Sequence, residues 1–154
     1  MKLTRLGIVV GVAGAIVLGF LGPSTAVELH GTSADTRQRL VLAPAQRDMM
    51  LAEMRLMLES VSGIVQGLAA DDLPVAEKAA RMSGMMHAAD TDPQLQKLLP
   101  QLFLELAMHT HRGFDTLADQ MKAGSSQADI LRGLAKLTGN CVACHVMYRL
   151  DEVR

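Results

Sequence analysis

The sequence predicts an all-α protein built as an antiparallel four-helix bundle, and three observations carry that expectation. First, Ala, Leu, Met, Gln, Glu, Lys and Arg favour helix. The aromatic and β-branched runs that favour strands are scarce in a chain with three Phe, one Tyr and no Trp. Second, apolar residues recur three and four positions apart over long segments, which is the helical period. Third, the breaks between those segments are short and carry Pro, Asp, Ser or Gly, and short connections make consecutive helices antiparallel neighbours. A length of 154 residues fits one domain, and no internal repeat or low-complexity stretch is visible.

The chain opens with a stretch outside the bundle. Lys2 and Arg5 precede an uncharged apolar run from Leu6 to Leu21, and Pro23-Ser24-Thr25-Ala26 supplies small residues. That order reads as a signal peptide, residues 1–26, cleaved after Ala26. The competing reading is a retained anchor helix, for which a run of 16 residues is short against the roughly 20 of a membrane span. Under either reading the remainder is exported, and a periplasmic protein is expected, with no membrane contact unless the anchor is kept. Loss of residues 1–26 leaves 13 Lys and Arg against 16 Asp and Glu. A mildly acidic chain with no basic stripe and no aromatic platform disfavours nucleic-acid binding. Residues 27–43, with Gly31, Thr32 and Ser33, read as a loose N-terminal segment, and His30 within it has no assigned role.

The bundle domain is expected over residues 44–154. A first helix starts near Pro44, a residue favoured in a first turn, and runs to about Ala70. Met50, Met54, Met57, Val61, Ile64, Val65 and Leu68 form its apolar face. Gly63 and Gly67 weaken this helix but permit close packing. Asp71-Asp72-Leu73-Pro74 turns the chain and caps a second helix, expected to about Ala89 with Val75, Ala79, Met82 and Met86 on its buried side. Asp90-Thr91-Asp92-Pro93 repeats that chemistry, and residues 93–99 read as a short helix or a connector. Pro100 opens a third helix to about Ala123, with Phe103, Leu106, Thr110, Phe114, Leu117 and Met121 as its inner stripe. Gly124 reads as its C-terminal cap, and Ser125 or Ser126 caps the fourth helix.

The fourth helix, Ser126 to Leu150, places Ile130, Leu134, Leu137, Cys141, Cys144 and Tyr148 in one stripe, with Arg132, Lys136 and Asn140 on the other side. It carries the stretch richest in chemistry, Cys141-Val142-Ala143-Cys144-His145. Two thiols three apart followed at once by an imidazole is the attachment pattern of c-type haem. Residues three and four apart share a helix face. Cys141 and Cys144 can therefore each form a thioether to the porphyrin while a ring nitrogen of His145 reaches the iron. One covalent haem c is the expected cofactor. Two other readings stand beside it. A thiol-redox pair calls for a βαβ context with the motif early in the domain. A zinc site calls for further ligands, and His87, His109 and His111 are not paired at zinc-finger spacing. Those histidines read as surface or rim residues, with bis-His ligation of a haem as a minor variant. No Ser-His-Asp pattern, P-loop or dinucleotide fingerprint suggests an enzyme.

A four-helix chain with this motif near its C-terminus resembles the cytochrome c-prime class, which includes low-spin relatives with a methionine on the iron. The resemblance covers roughly residues 44–150 and is strongest at Cys141-Val142-Ala143-Cys144-His145, with Tyr148-Arg149 just beyond. It implies that Cys141 and Cys144 hold the haem, that His145 is the proximal ligand, and that the distal residue comes from the early first helix. Counting back from Asp72-Leu73-Pro74 favours Met54 there, with Met50 as the alternative; both equally suit adaptable core filling. Arg149, one turn beyond His145, is a candidate partner for a haem propionate, or a solvated arginine offsetting the helix dipole. Two functions follow from the resemblance. With His145 and a Met on the iron, the potential is raised, and the protein is a one-electron carrier serving redox proteins outside the cytoplasm through brief, small contacts. With the distal side open, it is a five-coordinate haem protein that binds nitric oxide or carbon monoxide. Members of the class commonly dimerise, so a homodimer is a further expectation.

Overall fold

Local sequence sets the helix boundaries. The structure, a computed structural model, describes residues 35–88 and 93–153. The expected signal peptide, His30 and the Asp90-Thr91-Asp92 break lie outside the described residues. Strand β1 (Gln38–Leu42) leads into helix α1 (Pro44–Ala69). Three short helices follow: α2 (Leu73–Arg81), α3 (Met85–Ala88) and α4 (Pro93–Leu98). The long helices α5 (Gln101–Lys122) and α6 (Gln127–Met147) come next, then strand β2 (Tyr148–Glu152). The described chain is thus mostly helical, with one small sheet. Pro44 sits in the first turn of α1. The Asp72 carboxylate accepts from the Val75 amide at 3.1 Å, capping α2. Ser126 does the same for α6 through the Asp129 amide at 3.2 Å. Gly124, at φ 72°, ends α5 in the left-handed conformation that glycine adopts without a Cβ penalty.

The longer helices pack in chain order: α1 on α2, α2 on α5 past the short α3 and α4, and α5 on α6. The stripes expected for the third and fourth helices are where they were placed. Phe114, Leu117 and Met121 of α5 meet Ile130, Leu134 and Leu137 of α6 in one core, joined by Ile64 and Leu68 of α1.

The second helix departs from expectation in two ways. Its buried residues are Ala76 and Ala80, while Val75, Met82 and Met86 are exposed, Met86 at 89%. The cause lies on α1. A Cβ at Gly67 would stand 2.6 Å from the Ala76 backbone nitrogen, and one at Gly63 would stand 2.7 Å from the Ala79 Cβ. The two helices approach so closely there that only an alanine face fits between them. The helix also breaks early, at Arg81, instead of running to Ala89. Asp115 of α5 accepts from the Met85 amide at 2.8 Å and restarts the chain as α3. In the intervening turn, the buried Ser83 hydroxyl lies 2.8 Å from that of Ser60.

The sheet is the other departure. Residues 38–42, read as part of a loose segment, form β1. Helix α6 stops at Met147, short of Leu150, because Tyr148 turns to extended backbone (φ −126°, ψ 152°). The two strands pair in parallel, Gln38 opposite Tyr148 and Leu42 opposite Glu152. Parallel strands need a long crossover, and here the helices between them serve. Side chains alternate across a strand, so Leu40 and Leu42 point inward and Val41 outward. The inward pair joins Met50, Leu95, Phe103 and Tyr148 in a second core. Its two aromatic rings meet edge to face, 5.4 Å apart.

Candidate functional site

A cleft of about 520 Å³ is lined by both cores, with Phe114 from the first and Phe103 from the second in its wall. One side is α6, which presents Thr138, Cys141, Cys144 and His145. Another side is α1 from Met50 to Val61, which presents Met50, Leu51, Met54 and Met57. Small-molecule sites run to about 300–1,000 Å³, so the volume suits a cofactor. The lining is overwhelmingly apolar, as a flat macrocycle requires.

Both cysteines are half-buried free thiols in the cleft wall. Burial pushes the Cys141 thiol up. It pushes Cys144 up to about 11, with the neighbouring Cys141 charge adding to the shift. Both are therefore protonated at neutral pH, unlike the reactive thiolates of disulfide chemistry. The helix that places them also fixes the imidazole. His145 Nδ1 lies 2.7 Å from the Cys141 carbonyl oxygen. A carbonyl can only accept, so Nδ1 donates, and in the neutral ring Nε2 keeps its lone pair. That is the tautomer a metal-binding histidine needs, held by a partner on its other nitrogen.

Of the methionines, Met50 is 5% exposed and packs into the second core. Met54 is half-buried and lines both this cleft and a smaller adjoining cavity, as Cys144 and His145 do. Leu51 shares that position between them. The residues present thus fit a covalent haem: two thiols and an imidazole on one wall, thioethers on another, and apolar surface between. Arg149 stands on β2 instead of on a helical turn beyond His145, with its Nη2 3.8 Å from Asp151 Oδ2; it lines the smaller cavity.

The histidines require a correction. His109 is exposed and His87 half-buried, but His111 is 2% exposed. Its Nδ1 lies 2.8 Å from the Ser83 carbonyl and its Nε2 3.1 Å from Glu53 Oε1. Burial alone lowers its pKa, but the hydrogen bonds to Glu53 and Ser83 outweigh that and hold it above the usual 6.5. The sequence did hold a signal: Ala107, His111, Phe114 and Ala118 repeat at the helical period beside the stripe first chosen. Leu51, Glu53, Arg37 and Arg47 also line the site without having been singled out.

Among the described residues no helix is long and apolar enough to cross a membrane. Comparison of the chain with protein-family models, with curated proteins and with solved structures gave no match.

Proposed function

We propose that this chain is an exported, periplasmic c-type cytochrome of the four-helix-bundle kind, resembling the cytochrome c-prime class. It carries one covalent haem c and transfers single electrons between redox proteins outside the cytoplasm. The observation that carries this reading is Cys141-Val142-Ala143-Cys144-His145 facing an apolar cleft whose α1 wall bears Met50, Leu51 and Met54. Bound there, a haem supplies the one-electron couple. The chain's own residues do the rest. Cys141 and Cys144 would hold the ring, His145 would offer Nε2 to the iron, and Met54 is the favoured second ligand, with Met50 the alternative. Phe103, Phe114 and Val61 exclude water, which limits reorganisation when the charge on the iron changes.

Leu51 supports a second reading. It lies between the two methionines in the same wall, and an apolar side chain over the iron would leave it five-coordinate. The protein would then bind nitric oxide or carbon monoxide instead of passing electrons.

Mass spectrometry of the exported protein tests the shared premise: a mature chain without the added mass of haem ends both readings. Optical spectra, ferric and ferrous with and without carbon monoxide, separate them. A low-spin spectrum with a sulfur-to-iron band and no response to the gas is expected of the carrier. A high-spin spectrum that shifts with the gas selects the gas binder.

A further inference from the structure

Met54, the favoured second ligand, follows Glu53 on α1, and Glu53 shares the cleft wall with His111 of α5. His111 is 2% exposed and held at both ring nitrogens: Nδ1 lies 2.8 Å from the Ser83 carbonyl oxygen, and Nε2 lies 3.1 Å from Glu53 Oε1. A carbonyl only accepts, so Nδ1 carries a hydrogen. An unprotonated Nε2 and an ionised carboxylate are likewise both acceptors. Their contact therefore closes only around a further proton. On Nε2 that proton makes a charge-assisted hydrogen bond, the stronger kind. The Ser83 turn then leads back to α1. Its hydroxyl lies 2.8 Å from that of Ser60, with both residues buried. Asp115 of α5 steadies the same turn by accepting from the Met85 amide at 2.8 Å. Glu53 and Ser60 stand seven positions apart, on one face of the helix. One connected set of hydrogen bonds thus grips α1 at two points, two turns apart, through α5 and the turn after α2.

A buried charged pair is costly to desolvate, and apolar side chains would hold two helices together at least as well. What they would not do is fix a direction. Consecutive helix residues lie about 100° apart around the axis, so holding Glu53 against His111 sets where Met54 points. Met50, one turn earlier, is anchored in the second core. Between these holds and Ser60, the half-buried Met54 keeps a flexible thioether on a fixed stretch of backbone. Resting on the carrier reading above, we propose that His111 and Glu53 are positioning residues for the second iron ligand: their hydrogen bond locks the rotation of α1 and keeps Met54 turned into the cleft. Neither is itself a ligand. A group held in place beforehand gives up less freedom on binding, so the methionine outcompetes a small gas for the iron.

The test uses the exported, haem-loaded protein. It reads the ferric sulfur-to-iron band and the ferrous response to carbon monoxide. Glu53→Leu is expected to lose most of the band and to gain a gas response that the wild type lacks. Glu53→Gln is expected to keep the band and stay silent to the gas, because its amide can donate to a neutral His111 Nε2 while Nδ1 still donates to Ser83. Ser60→Ala loosens the same turn without touching the pair; it lowers the denaturation midpoint and leaves the band in place. A Glu53→Leu spectrum like that of the wild type overturns the positioning role and leaves the haem reading standing. So does loss of the band in Ser60→Ala or Glu53→Gln to the extent seen in Glu53→Leu, since the effect then follows packing and not the hydrogen bond. So does a Glu53→Leu chain that takes up no haem, which assigns the pair to folding. A high-spin wild type removes the methionine ligand, and with it the carrier reading and this proposal, while the haem remains. A wild-type mass without haem overturns both readings and the proposal.

Discussion

The two halves of α1 meet their surroundings in opposite ways. In the second half, Gly63 and Gly67 let α2 approach until its backbone nearly touches, and alanines fill the seam. Nearer its start, Met50, Met54 and Met57 line a cleft of about 520 Å³ that α6 also lines. The helix is continuous through both, and small side chains mark the part that touches α2 closely while long thioethers mark the part that lines the cleft. A cofactor-sized space needs a stiff end to hold it open, and the glycine–alanine seam is that end. Met is suited to the other end because its unbranched thioether adapts to what it faces.

That contrast can be broken at its joint first. Phe114 is fully buried, belongs to the packed core and also forms a wall of the cleft. Phe114→Ala should cost about 3–5 kcal/mol in urea denaturation; a loss under about 1 kcal/mol would mean the two regions are not joined there. Gly67→Val forces a branched side chain against the Ala76 backbone and should cost about 3 kcal/mol in the same measurement. The open half should be far more tolerant. Met54 is only half-buried, so Met54→Ala should cost about 1 kcal/mol; under the proposed carrier function it should also abolish a low-spin spectrum. Loss of stability matching that of Gly67→Val would erase the distinction between the two halves.

The smallest effect sharpens the boundary. Glu53 and His111 link the cleft wall to the Ser83 turn, and the His111 pKa is raised in the folded state. Its contribution to stability is fully present below the unfolded-state value near 6.5 and is lost as pH rises through the folded value. Denaturation midpoints measured across that window should fall with pH in the wild type. In His111→Gln that part of the slope should vanish.

Where local rules decide the outcome, the sequence was readable. Asp72 and Ser126 cap the helices they were expected to cap, Gly124 ends α5, and the stripes of α5 and α6 face the core they were assigned. The cluster at Cys141, Cys144 and His145 was legible for the same reason, since a five-residue span on one helix sets its geometry. What escaped depends on distant partners. Val75, Met82 and Met86 have the right period to be buried, but glycines on another helix admit only Ala76 and Ala80. His111 looked like a rim residue until Glu53 and Ser83 supplied acceptors on both sides of its ring. Leu40 and Leu42 alternate as a strand should, but a strand without a visible partner is no signal, and its partner follows the motif helix.

That pairing joins residues 38 and 148, 110 positions apart, and so closes a loop that spans nearly all of the described chain. Loop-closure entropy grows with length, and contacts this remote slow folding because much chain must be ordered before they form. A chain made from its N-terminus presents β1 before β2. The two strands can zip together only after the helices between them have emerged, so the sheet is a late contact that fastens the end of α6 to the start of α1.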